Sequence, residues 1–170
     1  ITNARWVDVN QDNLLDLIVV GEWMPIKLFV NHAGKFLDQT EQYGLGQSNG
    51  LYNSLAIGDF NNDGLIDFVS GNHGLNSRFR ASESEPLTMY INDFDQNEKV
   101  EHIITQYQNG RAFPMVLRQD LISQLPGLKK KYLHYRDYSE QTMNDIFTEK
   151  QLEKAIVASA KTLETTLWMN

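Results

Sequence analysis

The sequence has 170 residues, with 15 Lys and Arg against 22 Asp and Glu and a formal net charge of −7. Nucleic acids and anionic membranes are polyanions, so an acidic chain of this kind is a poor general binder of either, and no nucleic-acid partner is expected. The absence of cysteine excludes disulfide frameworks, zinc–thiolate sites and cysteine nucleophiles, and no apolar run approaches the roughly 18 residues that membrane insertion requires.

An acidic pattern of nine residues occurs twice in the chain. Residues 8–16 (DVNQDNLLD) align without a gap on residues 59–67 (DFNNDGLID), and a weaker third copy (DFDQNEKVE) spans residues 93–101. Short β-branched and aromatic runs flank each copy, and such runs favour strands. Each unit is therefore predicted to consist of a strand, an acidic loop and a second strand.

The spacing within the loops predicts metal ligands. Positions 1, 3, 5 and 9 carry side-chain oxygen atoms, which can converge on one point while the backbone wraps around it. Gly64 at position 6 permits the positive φ that such a wrap requires, and Asn13 is the next best residue there. A hard cation such as Ca²⁺ accepts about 6–8 oxygens, and the position-7 carbonyls of Leu14 and Leu65 are further candidates. The ion would also offset the repulsion between the carboxylates.

Two alternatives compete with a calcium loop. Asp and Asn favour turns without any metal, but the recurrence in the same strand context favours calcium. An EF-hand requires an acidic residue at position 12 and a following helix, whereas position 12 is Val19, Ser70 or Ile104, inside predicted strands. That excludes EF-hands. In the third copy Glu98 stands where glycine is preferred, so metal binding there stays open.

In these loops and the segments that flank them, the sequence resembles the FG-GAP or VCBS repeat, the blade unit of integrin-α-type β-propellers. Residues 26–40 resemble the outer hairpin of such a blade, and residues 50–60 resemble the entry into the next one. Residues 71–76 (GNHGLN) resemble bacterial repeats found beside ASPIC/UnbV-type domains. The closing residues 167–170 (LWMN) mirror residues 28–31 (LFVN).

The resemblance implies a mainly β fold, made of partial β-propeller blades with a short α-helical insertion, and Ca²⁺ as a largely structural cofactor. It predicts repeat blades over residues 1–116, a helical insertion over 117–158 and a strand of a further, truncated blade over 159–170. The metal role carries over only to the matched positions of the three loops. These candidate ligands are Asp8, Asn10, Asp12, Asp16, Asp59, Asn61, Asp63, Asp67, Asp93, Asp95, Asn97 and Glu101.

Beyond the third loop, a hairpin turn is predicted at Asn109-Gly110, followed by three or four short helices over residues 117–158. Apolar residues recur there at helical spacing. Ser139 is a candidate N-cap, and Thr148 with Gln151 resembles a capping box for a helix over residues 149–158.

Two features of this helical segment have both a functional and a structural interpretation. The run from Lys129 to Lys131 suggests polyanion binding, but the acidic residues that follow favour a solvated helix face. Tyr132, Tyr135 and Tyr138 lie three residues apart, which suits a sugar-stacking platform less well than a helix that packs against the propeller.

No catalytic constellation is visible, so the chain is expected not to be an enzyme. The four histidines lack metal-ligand spacing, and no phosphate-binding loop or nucleophile elbow occurs. The best-placed carboxylates are assigned to calcium, and a carboxylate neutralised by a cation is a poor general base.

Two functional hypotheses follow. The first is a binding module, extracellular, at the cell surface or periplasmic, that recognises an unidentified protein or glycan ligand. The alternative is a non-catalytic scaffold within a larger carbohydrate-active enzyme. The chain begins at Ile1 without a signal peptide and ends on an apolar stretch, so we expect a fragment of a longer protein. Self-association through its open strand edges is a further expectation.

Overall fold

The computed structural model describes residues 1–170 and is mainly β, with 13 strands, four short α-helices and one 3₁₀ helix. The strands are β1 (Asn3–Val7), β2 (Asp16–Val20), β3 (Glu22–Met24), β4 (Lys27–His32), β5 (Lys35–Asp38), β6 (Gly50–Leu51), β7 (Ser54–Gly58), β8 (Asp67–Gly71), β9 (Leu87–Asn92), β10 (Glu101–Gln108), β11 (Arg111–Pro114), β12 (Ile156–Ala160) and β13 (Thr166–Trp168). The helices are α1 (Arg118–Gln124), the 3₁₀ helix (Pro126–Lys130), α2 (Tyr135–Tyr138), α3 (Met143–Ile146) and α4 (Glu149–Glu153). The predicted mainly β fold with a short helical segment is confirmed.

The first sheet contains the strands around the first acidic loop and the hairpin that follows. Its order is β1-β2-β4-β5, with antiparallel neighbours. Ala33 and Gly34 join β4 to β5 with φ of 53° and 94°, and two successive positive φ values are typical of a type I′ turn. The predicted outer hairpin over residues 26–40 is confirmed.

The second sheet repeats this arrangement, but its third strand comes from the end of the chain. Its order is β13-β8-β7, and β7 and β8 flank the second acidic loop. Leu167 of β13 lies opposite Val69, as Leu28 of β4 lies opposite Ile18. Because Val69 is the repeat equivalent of Ile18, the predicted correspondence between residues 167–170 and 28–31 is confirmed.

The chain divides into two compact units, and the first comprises residues 1–78 and 160–170. Both sheets described above lie in it, and their side chains form one hydrophobic core. Ile18, Leu28 and Val30 of the first sheet are buried in this core, and Phe68 and Trp168 of the second sheet pack against it.

The second unit, residues 79–159, contains the third acidic loop and all the helices. A further sheet has the order β11-β10-β9-β12, and β9 and β10 flank the loop. Phe94 and Ile103 share a buried core with helical residues such as Leu121 and Phe147, and the rings of Phe94 and Phe147 lie 4.1 Å apart. The predicted segment 117–158 lies wholly within this unit.

The helices are shorter than the sequence suggests, and one cap is different. The prediction of Ser139 as an N-cap is wrong, because Ser139 is the C-cap of α2. Thr142 is the N-cap of α3, and its N–H and hydroxyl both donate to the Asp145 carboxylate. The capping box of Thr148 and Gln151 is confirmed. However, the helix predicted over residues 149–158 ends at Glu153, because residues 156–160 form strand β12 instead. No helix exceeds seven residues, and none has the length and apolar character of a membrane span.

Two of the three tyrosines are buried, as packing of this segment predicts, whereas exposure of the Lys run is compatible with both of its interpretations. Lys129, Lys130 and Lys131 are exposed. Tyr132 and Tyr138 are buried in the core of the second unit, whereas Tyr135 is exposed. The Tyr138 hydroxyl donates to Val116 O at 2.8 Å, and burial raises the pKa of Tyr138 to about 12.

Asp38 and Thr40 close the outer hairpin. Asp38 accepts hydrogen bonds from Thr40 N and Lys27 Nζ, each at 3.0 Å, and the hydroxyl of buried Thr40 accepts one from Leu28 N. The hydrogen bonds from Thr40 and then from Lys27 lower the pKa of Asp38 to about 2. These contacts explain why the hairpin ends on an Asp and a Thr two residues apart.

We expect Asp38→Asn to lower the free energy of unfolding at pH 7 by up to about 1 kcal/mol, because the pair with Lys27 is exposed and screened by solvent. The folded pKa of about 2 lies below the usual 3.8. The charge therefore stabilises the fold above the usual pKa, and this contribution is lost as the pH falls through about 2. Urea unfolding of both proteins at a series of pH values checks this. A difference that does not shrink at acidic pH would contradict it.

Candidate metal centres

The three acidic loops share one backbone conformation. At position 4 the φ angles are 60° for Gln11, 61° for Asn62 and 61° for Gln96. At position 6 they are 67° for Asn13, 85° for Gly64 and 67° for Glu98. Positive φ favours glycine and costs other residues roughly 1–2 kcal/mol, so the third loop takes the same shape although Glu98 is poorly suited to it.

The position-1 carboxylate folds each loop around itself. Asp8 Oδ1 accepts a hydrogen bond from Asp12 N at 3.2 Å, and its Oδ2 accepts one from Asn13 N at 2.9 Å. Asp59 and Asp93 accept the equivalent pairs of bonds in the second and third loops. A short acidic side chain suits this position because it reaches the amides of positions 5 and 6.

The position-9 carboxylate ties each of the first two loops to the third strand of its own sheet or to the residues just after that strand. Asp16 has no solvent exposure and accepts hydrogen bonds from Val9 N at 2.9 Å and Asn31 N at 2.8 Å. Asp67, equally buried, accepts one from Asn170 N at 2.9 Å and one from inside its loop. Asn31 and Asn170 are not among the residues predicted from the sequence, although they end the mirrored segments LFVN and LWMN.

The third loop brings its carboxylates closest together. Oxygen atoms of Asp93, Asp95 and Glu101 all lie within 4.8 Å of one another. Glu101 is buried and accepts a hydrogen bond from Phe94 N, while Asp95 is exposed. Of the three loops, the one that matches the sequence pattern least well therefore has the most compact acidic group.

In the first two loops position 3 is an asparagine, and the carboxylates form no such group. Asn10 Nδ2 donates to Asp12 Oδ2 at 3.0 Å, and Asn61 Nδ2 donates to Asp63 Oδ2 at 2.7 Å. The carboxylate at position 5 also accepts a hydrogen bond from the amide at position 7. These side chains therefore lie together inside each loop, held by hydrogen bonds rather than by direct approach of three carboxylates.

The donor chemistry of all three loops fits a hard cation. The candidate ligands offer carboxylate and amide oxygens, with no sulfur or imidazole, and oxygen-only sets suit Ca²⁺ or Mg²⁺ rather than zinc or copper. Tyr43 responds to the charge of the first loop: burial raises the pKa of its hydroxyl, and the carboxylates of Asp16 and Asp12 raise it further. Metal binding by the twelve candidate residues of the three loops stays a prediction.

Residues 8–70 match the family model described as an FG-GAP-like repeat. The match includes the first two acidic loops and the outer hairpin, and it supports the FG-GAP resemblance over this part of the chain. No curated protein and no solved structure matches the sequence.

We expect Asp16→Ala to destabilise the protein even when no metal is present. The substitution leaves the N–H groups of Val9 and Asn31 without their acceptor, which costs about 2–4 kcal/mol for the two groups. Asp12→Asn keeps an oxygen for Leu14 N, so its effect in chelator should stay below about 1 kcal/mol. Urea unfolding in excess EDTA measures both. Equal losses would contradict the structural role of Asp16.

Proposed function

We propose that this chain is a calcium-stabilised repeat module that acts in protein or carbohydrate binding or adhesion, outside the cell or in the periplasm, and that it is not itself an enzyme. One observation carries the proposal: three loops with the same φ signature and the same backbone hydrogen bonds present side-chain oxygens at the same four positions. These oxygens also accept backbone N–H groups, but three of the four ligand positions in each loop are carboxylates, which repel one another unless a cation offsets their charge.

Calcium in the loops would stabilise the sheets through the position-9 carboxylates. A bound Ca²⁺ supplies positive charge that offsets the three carboxylates of each loop. Asp16 would then contact the ion while its hydrogen bond to Asn31 holds the third strand of the sheet. Ion binding and sheet formation would thus favour each other, because both use the same buried side chain.

The family match supports the binding role and the compartment. FG-GAP-like repeats, which residues 8–70 match, are generally non-catalytic domains of extracellular binding proteins. Free calcium outside the cell is high enough to fill loops of modest affinity. A partial propeller, with Ca²⁺ in all three loops and an unidentified protein or glycan as the ligand, is the form of this proposal that agrees best with the sequence.

We propose the second unit as the part that is specific to this chain, because in sequence it falls between β8 and β13 of the second repeat. Removing residues 117–158 alone would expose Phe94 and Ile103, whose core partners are helical. A test of its role in ligand binding should therefore substitute exposed side chains such as Leu133 and Tyr135 and leave the core intact.

We expect millimolar calcium to raise the melting temperature above that in EDTA. Selective binding to the folded state adds about 2.7 kcal/mol per site when the ion is at 100 times its Kd. Asp12→Asn and Asp63→Asn should each reduce the rise, since each removes one candidate ligand charge and keeps the backbone hydrogen bond. Asp95→Ala, which removes the position-3 oxygen altogether, should remove one of three ions counted by titration calorimetry.

Glu83→Gln is the matched control for these calcium measurements, because Glu83 is exposed and lies outside every loop. It should respond to calcium as the wild type does. No shift at millimolar calcium would mean that the acidic repeats are turns without metal, and an equal shift in the Asp63→Asn variant would mean this of the second loop.

We expect a glycan array and a panel of candidate protein ligands to show binding that EDTA weakens, and a panel of glycoside substrates to show no turnover. The calcium dependence follows because the ion stabilises the loops and sheets that present the ligand surface. Turnover by the purified chain would contradict the non-catalytic role. Absence of binding to both ligand classes, with calcium sites intact, would instead favour the scaffold alternative.

A further inference from the structure

A cavity of about 260 Å³ lies between the sheet of the second unit and the start of α3. Tyr107 lies four residues after Ile103 in β10, and Tyr90 lies opposite Ile103 on β9. Both tyrosines therefore belong to the face of the sheet that carries buried Ile103 and that the helices cover. Thr142 and Asn144 line the helical side. The cavity is thus built from the second unit alone, and none of its residues belongs to an acidic loop.

Three polar groups at this cavity have no hydrogen-bond partner within the chain. They are the hydroxyls of Tyr90 and Tyr107 and the side-chain amide of Asn144. Asn144 is exposed and both tyrosines are partly exposed. Burial, and then the nearby Tyr107, raise the pKa of Tyr90, so its hydroxyl keeps its proton at neutral pH. Because hydroxyl and amide groups both donate and accept hydrogen bonds, these three suit a ligand that carries several hydroxyls.

Arg111 gives the cavity a positive charge, and no acidic side chain lines it. The guanidinium of Arg111 lies 5.1 Å from the centre of the Phe113 ring, and its Nη2 donates a long hydrogen bond to Glu140 O at 3.5 Å. The carboxylate of Asp145 accepts hydrogen bonds from Thr142 instead, and it forms no ion pair with Arg111. The planar fork of guanidinium N–H groups matches the two oxygens of a carboxylate, so the cavity suits a ligand with a carboxylate of its own.

An acidic sugar combines these properties better than other anions do. The tyrosine rings offer flat apolar surfaces to the C–H groups of a sugar ring, while the hydroxyl and amide groups match its hydroxyls. A phosphate is usually held by several cations or by a row of backbone N–H groups, and the cavity has one arginine. An uncharged sugar would leave the charge of Arg111 unpaired. The volume lies below the roughly 300–1,000 Å³ of sites for drug-sized ligands, which suits a single sugar ring.

We propose that this cavity binds one hexuronate residue of an acidic saccharide. Arg111 pairs with the sugar carboxylate, and Tyr90, Tyr107 and Asn144 bond its hydroxyls. The inference rests on the binding role proposed above and names its ligand class and its site, while the calcium loops supply none of the contacts. The net charge of −7 repels an acidic saccharide at long range, so recognition depends on the short-range pair with Arg111.

Titration calorimetry in calcium tests this inference with oligosaccharides of glucuronate, galacturonate and mannuronate, and with the methyl ester of each as its uncharged counterpart. At least one uronate should bind, and its methyl ester should bind at least ~10-fold more weakly because it lacks the charge-assisted pair. Arg111→Gln should weaken uronate binding about 10- to 100-fold, and Arg111→Lys less, since lysine keeps the charge without the fork. Tyr107→Phe removes one neutral hydrogen bond and should weaken binding roughly 2- to 10-fold.

Arg136→Gln is the matched control, because Arg136 is an exposed arginine of the same unit that does not line the cavity; it should bind as the wild type does. Circular dichroism verifies the fold of each variant, and Asn144→Ala repeats the test if Tyr107→Phe does not fold.

Two results would overturn the inference. One is undiminished uronate binding by Arg111→Gln, which is also what a saccharide held by calcium in the loops would show. The other is no binding of any uronate. In that case, binding of a neutral glycan or of a protein ligand would leave the proposed function standing, whereas no binding of any of these ligand classes would contradict both.

Discussion

A buried carboxylate at the ninth position of each of the first two acidic loops holds the sheets of this protein together. Asp16 and Asp67 have no solvent exposure, and each accepts one N–H from its own loop and a second one, from Asn31 of β4 or from Asn170, two residues after β13. A buried charge is tolerated only when it is hydrogen-bonded or paired, so loop and strand must form together. The loops therefore belong to the framework of the sheets.

The same constraint explains how a sheet can be completed by a distant strand. Asn170 reaches Asp67 from the last residue of the chain, although a compact unit of residues 79–159 comes between β8 and β13. The entropy cost of closing a loop rises only slowly with its length. One strand that pairs with β8 and bonds its buried carboxylate is therefore enough to complete the second sheet.

The sequence predicted those structural features that depend on residues close together in the chain. The acidic repeat predicted three loops between strands, Asn109-Gly110 predicted the hairpin turn, and Thr148 with Gln151 predicted the start of α4. Glu98 made the third loop the weakest of the three predicted metal sites. Yet that loop has the same φ signature and the most compact carboxylate group. Hydrogen bonds to Asp93 from two backbone amides hold this shape, and side-chain composition at one position does not reveal them.

The sequence by itself determined the strand–loop–strand units and the spacing of their oxygens, because φ preferences and side-chain reach act over a few residues. Only the tertiary structure decided which strands share a sheet, that Asn31 and Asn170 contact the position-9 carboxylates, and which apolar side chains form each core. Those features depend on pairs of residues far apart in the chain, such as Asp67 and Asn170. Pairing at such distances is decided by packing and hydrogen bonding in three dimensions, and local preferences do not fix it.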